Sequence, residues 1–346
     1  MSDAGEILIE PRAAGGHAAA LFLRGRLEDL LIDPEPADPT PRPEAIHRAV
    51  VDRPMKGIGG AIVALGGGEK GFLRMPRAPE PGARLLVQVA GWAEPGKAPP
   101  VRPRPTLKSR AAVLTPGAPG RNLSRELRDP DLRARLGAIA AAAMAGAAPD
   151  LGLILRSAAA DLPEAEIAAE IAALRAQWER IAAAGAGPAA CLYPGPGAAE
   201  IARREWRTRP GMPVIAEPGA FDRHELWEEI RGLGDPRIAL DPGTMFVEPT
   251  RALVAVDVNT GGDLSPAAAL KTNLAAARAL PRALRLRGLG GQITVDFAPL
   301  AKPDRRRIEI ALTDALRADP VETSLAGWSP LGHLELSRKR ARRPLG

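Results

Sequence analysis

Residues 253–260, LVAVDVNT, and residues 290–300, GGQITVDFAPL, decide how this chain is read. In the first stretch, alternation places Leu253, Ala255, Asp257 and Asn259 on one face of a strand. In the second, Asp296 closes a run of strand formers that follows a glycine turn. Between them, residues 265–288 (SPAAALKTNLAAARALPRALRLRG) have the composition of a helix, and Pro281 inside it is expected to kink or split it. Strand, helix and strand in this order imply a right-handed parallel crossover. Asp257 and Asp296 then reach the same C-terminal sheet edge, where open α/β sheets hold their ligands.

Two carboxylates and an amide at a sheet edge make a hard oxygen site suited to Mg²⁺ that keeps several waters. Such an ion activates water and neutralises phosphate charge. An Asp at a strand end also serves as a plain cap for the following helix, and either residue alone reads that way first. Two of them on a parallel pair, with Asn259 in line, point to a metal. Eight basic residues crowd positions 278–307 (Arg278, Arg282, Arg285, Arg287, Lys302, Arg305, Arg306, Arg307) against Asp296 and Asp304. They are either a solvated helix face or phosphate contacts that position a nucleic acid without reading its sequence. The last ten residues, SRKRARRPLG, read as a flexible basic tail.

Outward from this region, a hairpin is expected over 244–259 and a last helix over 302–319. Residues 6–33 read as strand, turn, strand, and then helix or strand. Residues 34–43 carry five prolines and mark a linker or insertion point. Residues 44–116 are short β-rich runs joined by Gly turns, the spacing of a small five-stranded barrel. Residues 122–185 read as helical apart from a strand at LGLILRS, and 188–240 alternate short strands with helices. The chain has 346 residues, enough for two or three modules, and a formal charge of +6, which permits a polyanionic partner. One cysteine, Cys191, excludes an internal disulfide and a CxxC zinc pair, and four scattered histidines argue against a His-rich metal site. No apolar run is long enough for a membrane span, and the acidic N-terminus lacks a signal-peptide core, so a cytoplasmic protein is expected. Neither a GxGxxG nor a GxxxxGK[ST] phosphate loop is present, against a generic nucleotide-binding protein.

The pieces VAVDVNTGG, LKTNLAAARALPRALRLRGLGGQITVDF and GHLELSRKR, in this order, closely resemble the ribonuclease E/G family. The resemblance implies an α/β multidomain chain. An RNase H-like fold (1–42 and 188–240) is interrupted by an OB-fold RNA-binding barrel (43–108) and a 5′-sensor region (109–187). A DNase I-like catalytic domain with the basic tail follows (241–346). It implies a Mg²⁺-dependent endoribonuclease that cuts single-stranded RNA to 5′-phosphate and 3′-hydroxyl ends, in RNA processing or decay. Asp257 and Asp296 match the metal-holding aspartates, and Asn259 the Asn that orients the attacking water or the scissile phosphate. Phe72 matches a base-contacting aromatic, or else is a buried strand Phe. Lys97 matches a phosphate-contacting Lys, with Arg285 and Arg287 as further RNA contacts. Val113, Arg156 and Ser157 match the pocket that grips a 5′-monophosphate.

The departures from the family are specific. Ile62 stands where a second base-stacking aromatic is expected. Ser109 replaces a Gly of the 5′ pocket, and Glu322 replaces a distal Arg. Ala275 and the segment near Pro299 each lose an acidic residue. The CPxCxGxG zinc-link is not in the sequence, so no zinc and no zinc-joined oligomer are expected. These losses motivate a second reading, a non-catalytic RNA-binding protein that keeps the fold.

Overall fold

The computed structural model describes residues 5–345 except 56, 58, 78 and 207–210. Three strands open the chain, β1 (Glu6–Pro11), β2 (His17–Leu23) and β3 (Arg26–Ile32). Five more follow: β4 (Ile46–Pro54), β5 (Gly60–Gly66), β6 (Glu69–Arg74), β7 (Arg84–Val89) and β8 (Pro100–Arg102). Next come β9 (Leu107–Lys108), β10 (Ala112–Pro116), β11 (Arg121–Leu123), α1 (Pro130–Ala143), β12 (Leu151–Leu155) and α2 (Glu164–Ala183). Then β13 (Ala190–Tyr193), α3 (Ala198–Glu205), β14 (Val214–Ala216), α4 (Leu226–Gly232) and β15 (Arg237–Ala239) lead to the C-terminal part. That part holds β16 (Thr244–Pro249), β17 (Val254–Asn259), α5 (Pro266–Leu286), β18 (Gly291–Asp296), α6 (Lys302–Ala318), β19 (Thr323–Trp328) and β20 (Leu334–Arg338).

Two compact units divide the chain. The first takes Met1–Pro11, Ala18–Ile32 and Ile215–Gly346; the second takes Arg12–His17 and Asp33–Val214. Of the stretch 188–240, β13 pairs with β4 and α3 lies in the second unit, whereas α4 and β15 lie in the first.

In the second unit, β4, β5, β6, β8 and β7 pair in sequence, and β7 returns to β4, closing a five-stranded OB-like barrel. Alternation explains its core: Ala61, Val63 and Leu65 of β5 point inward with Leu73 of β6 and Val87 and Val89 of β7. A second sheet, β11-β12-β10-β9, is backed by α1 and α2. Asp129 starts α1 by accepting from the amides of Asp131 and Leu132, with Pro130 at the first helical position. Glu164 and Glu166 in the first turn of α2 and Arg180 in its last suit the helix dipole.

A chain of ion pairs crosses this unit. Arg204 holds Glu44 through two hydrogen bonds of 2.9 and 2.8 Å and Glu205 through one of 2.8 Å, and Lys108 lies 3.1 Å from Glu44. Burial pushes the Glu44 carboxyl up, but Arg204 and Lys108 outweigh it and hold the carboxyl below its ordinary value of 4.5. Glu205 is likewise raised by burial and lowered more by Arg156 and Arg204. A depressed folded-state pKa gives stability that is present above the unfolded value and lost as pH falls through the folded one. Melting temperature should therefore drop in acid below about pH 4.5, and Glu44→Gln should flatten that acid limb. An acid limb unchanged in the variant would remove Glu44 as its source.

In the first unit, one sheet runs β14-β1-β2-β3, so the last segment of 6–33 is strand and not helix, and a six-stranded sheet runs β15-β16-β17-β18-β20-β19. The hairpin β16–β17 is antiparallel, and β17–β18 is parallel across α5, as the crossover requires. Val254, Val256 and Val258 of β17 and Ile293 and Val295 of β18 bury one face against Ala276, Ala277, Leu280 and Leu284 of α5 and Ile308 and Leu312 of α6. The sheet thus has a helix-covered face and an open one.

Two expectations are corrected here. Of the two outcomes expected at Pro281, a kink or a split, the split is the one ruled out, since α5 runs unbroken from Pro266 to Leu286. Small Ala276 and Ala277 lie one turn before the ring, and burial of both flanks offsets the missing amide bond. The basic C-terminus is not a free tail. Arg338 is fully buried, donating to Asp319 at 2.9 Å, Arg342 donates to Asp29 at 2.9 Å, and Leu345 packs against the core beside Leu286.

Candidate active site

The crossover aligns β17 and β18 so that Asp257 and Asp296 are direct register partners, last of the paired positions. Adjacent strands lie ~4.8 Å apart, so the two carboxylates leave the sheet side by side. Both residues are exposed, on the open face, because Val256, Val258 and Val295 take the covered one. Asn259, two residues after Asp257 and on the same face, donates its amide to Asp257 Oδ2 at 2.6 Å. Hairpin geometry supports this end. Gly243 has φ +87°, and a Cβ there would overlap the Asn259 carbonyl oxygen and press on Thr272.

Residues not singled out from the sequence complete the support. Asn273 of α5 is fully buried and clamps the backbone just beyond Asp296, donating to the Ala298 carbonyl at 2.9 Å and accepting from the Ala298 amide at 3.0 Å. Its signal was the TNL triplet, legible only as a family word. Ser265 caps α5 by accepting from the Ala268 amide. His333, in the turn before β20, brings Nε2 to 3.8 Å from Asp296 Oδ1. Nothing near Asp296 in sequence announces it.

Among the described residues, no three His, Cys, Asp or Glu side chains gather as a ready metal cage. Asp257 and Asp296 offer two hard, exposed carboxylates side by side. That set fits an ion which takes one or two carboxylates and fills its shell with waters and substrate oxygens, as Mg²⁺ does.

The other expected residues sit as follows. Phe72 of β6 is half-buried, absent from the barrel core and directly opposite Ile62 of β5, so an aromatic and an aliphatic side chain form one outward pair. Lys97 is exposed and pairs with Glu94 at 2.6 Å. Arg285 is buried: its guanidinium bonds Asp319 and the Glu28 carbonyl and lies 3.5 Å from Asp29, so it braces the unit and is not presented to a phosphate. Arg287 donates to the Asp235 carbonyl at 3.0 Å. Val113 of β10 faces Ile154 of β12, and Arg156 and Ser157 follow that strand. The Arg156 fork is filled by Glu205 at 2.5 Å and by the Ser109 carbonyl at 2.9 Å.

A closed OB-like barrel and a helix-backed sheet that exposes paired aspartates define a multidomain α/β protein. The chain belongs to the ribonuclease E/G family: the family model matches residues 106–210 and 212–341. It is similar to ribonuclease E of Nostoc sp., 29% identical over 382 residues covering 93% of this chain and 54% of the relative. It is also similar to ribonuclease G of Escherichia coli, 30% identical over 275 residues covering 68% of this chain and 55% of the relative. A ribonuclease E/G-like chloroplastic protein of Arabidopsis thaliana is 38% identical over 130 residues, 35% of this chain and 13% of that one. The chain thus spans about half the length of the first two relatives. No helix among the described residues is long and apolar enough to cross a membrane.

Proposed function

We propose that the chain is a cytoplasmic endoribonuclease that cuts single-stranded RNA internally with Mg²⁺, acting in RNA processing or decay. The observation that carries this reading is the register pairing of Asp257 with Asp296 on the open sheet face. Family membership supports it. On the same grounds, residues 1–42 and 188–240 are read as RNase H-like, 109–187 as a 5′-sensor-like region and 241–346 as DNase I-like.

Asp257 and Asp296 would hold the ion. When bound, it supplies an activated water and neutralises charge on the phosphate. Asn259 fixes the orientation of the Asp257 carboxylate through its 2.6 Å bond and has a second amide hydrogen for a phosphate oxygen. Asn273 holds the chain beyond Asp296, which limits that carboxylate's drift. Hydrolysis in which water attacks phosphorus and the 3′-oxygen leaves would give 5′-phosphate and 3′-hydroxyl ends. The barrel face around Phe72 would take bases. Stacking on one ring contributes ~1–3 kcal/mol per base, so Phe72→Ala should weaken single-strand affinity by roughly fivefold or more. Equal affinity in the variant would place the base contact elsewhere.

A 5′-monophosphate would have to displace Glu205 from Arg156, so cleavage should depend little on the 5′ end. That contact and the lone Phe72 also favour the second reading, an RNA-binding protein without catalysis. The test is purified protein with Mg²⁺ and a labelled single-stranded oligoribonucleotide. Internal products that vanish with EDTA and carry 5′-phosphates support the enzyme. Binding without products supports the second reading.

A further inference from the structure

The turn that carries His333 also borders a cation with no hydrogen-bond acceptor among the described residues. Arg305, in the first turn of α6, lays its guanidinium over Trp328, 4.6 Å from the ring centroid. Trp328 is itself fixed: its Nε1 donates to Glu309 at 2.8 Å, and its ring sits 6.0 Å from Phe297, the residue after Asp296. Arg305 also lies against the turn, since a Cβ added to Gly332 would sit 3.4 Å from Nη2. The turn is held by the Ser329 amide donating to the His333 carbonyl at 2.8 Å and the His333 amide donating to Ser329 Oγ at 3.2 Å. Stacked, half-buried and oriented, Arg305 has no hydrogen bond or ion pair among the described residues, and its Nε is buried without a partner. Nearby carboxylates are taken: Asp304 by Arg307 and Glu309 by Arg306 and Trp328. A half-buried guanidinium with open donors is a seat for an anion with several oxygens.

Charge gives the seat its purpose. Two exposed carboxylates repel a polyanion, and a cation on the same rim offsets that repulsion where the strand must approach. We propose that Arg305 and His333 form a phosphate seat beside the Asp257/Asp296 pair, taking a backbone phosphodiester of the strand next to the bond that is cut. This rests on the ribonuclease reading for the identity of the strand. Trp328 is the positioning residue, holding the guanidinium over its ring next to the turn that carries His333.

The experiment measures binding of a single-stranded oligoribonucleotide in EDTA, where nothing is cut, by fluorescence anisotropy across a salt series, alongside Mg²⁺-dependent cleavage. Each phosphate contact adds about 0.7 to the slope of log affinity against log salt on single strands. Arg305→Leu should weaken binding roughly tenfold and make the slope shallower by about 0.7, while Arg305→Lys keeps the slope. His333→Leu, on a separate element, should weaken binding with the same folded near-ultraviolet signature as wild type. Wild-type affinity and slope in both leucine variants would overturn the seat. Cleavage by wild type with that result leaves the ribonuclease reading standing. A shallower slope without Mg²⁺-dependent products removes the ribonuclease reading and leaves the seat.

Discussion

Asp257→Asn combined with Asp296→Asn is expected to lower RNA cleavage by roughly a thousandfold or more while the protein stays folded. The size follows from the role proposed for the pair: stabilising charge at a reacting phosphate contributes several kcal/mol, and each ~1.4 kcal/mol is tenfold in rate. The unchanged fold follows from position. Both side chains are exposed on the open face, and the sheet's burial comes from the valines that alternate with them. Exposed substitutions of this kind change stability by about 0.5 kcal/mol or less. Asn also keeps an oxygen to accept from Asn259. Single-turnover cleavage in Mg²⁺, with melting temperature and RNA affinity measured on the same samples, separates the effects. Cleavage by the double variant at the wild-type rate would show that the products come from another site.

Asp319→Ala should be the most destabilising single change in the first unit. Its side chain is 1% exposed and bonds two buried arginines, Arg285 from α5 and Arg338 from β20, while also accepting from the Val321 amide at 2.8 Å. Burial pulls the Arg338 pKa down, and Asp319 works against that. Removing the carboxylate leaves buried Arg338 with only neutral acceptors and strips Arg285 of its closest carboxylate, a loss of about 3–5 kcal/mol. Thermal unfolding should shift down by on the order of 10 °C. Asp319→Asn keeps the shape and loses the charge, so it should fall on the same side of wild type. A melting shift below about 1 °C for the alanine variant would mean that the arginines find water or other partners.

Sequence patterning carried much of the architecture because it rests on short-range physics. Alternation in 253–260 is a property of consecutive residues and puts Asp257 and Asn259 on one face, while strand order brings Asp296 to the same sheet edge. The parallel crossover followed from element order and handedness alone. The barrel was legible for a similar reason: Gly turns between short β runs leave few ways to close. Pro281 and the basic C-terminus show the limit. A proline's local cost can be overridden by packing, and whether an arginine is a phosphate contact or a brace depends on what lies across from it. Arg285, Arg338 and Arg342 find Asp29 and Asp319, far away in the chain.

By itself, then, the sequence determined the family, the strand–helix–strand frame and the two aspartates at its edge, because local periodicity and motif order survive without coordinates. Only the tertiary structure decided which cations are free to meet a strand. It buried Arg285 against Asp319, gave Arg156 to Glu205, and left Arg305 stacked on Trp328 beside His333. The physical reason is that a charge is paired by its nearest neighbour in space, and residues 34 to 49 positions apart become such neighbours only when the chain folds.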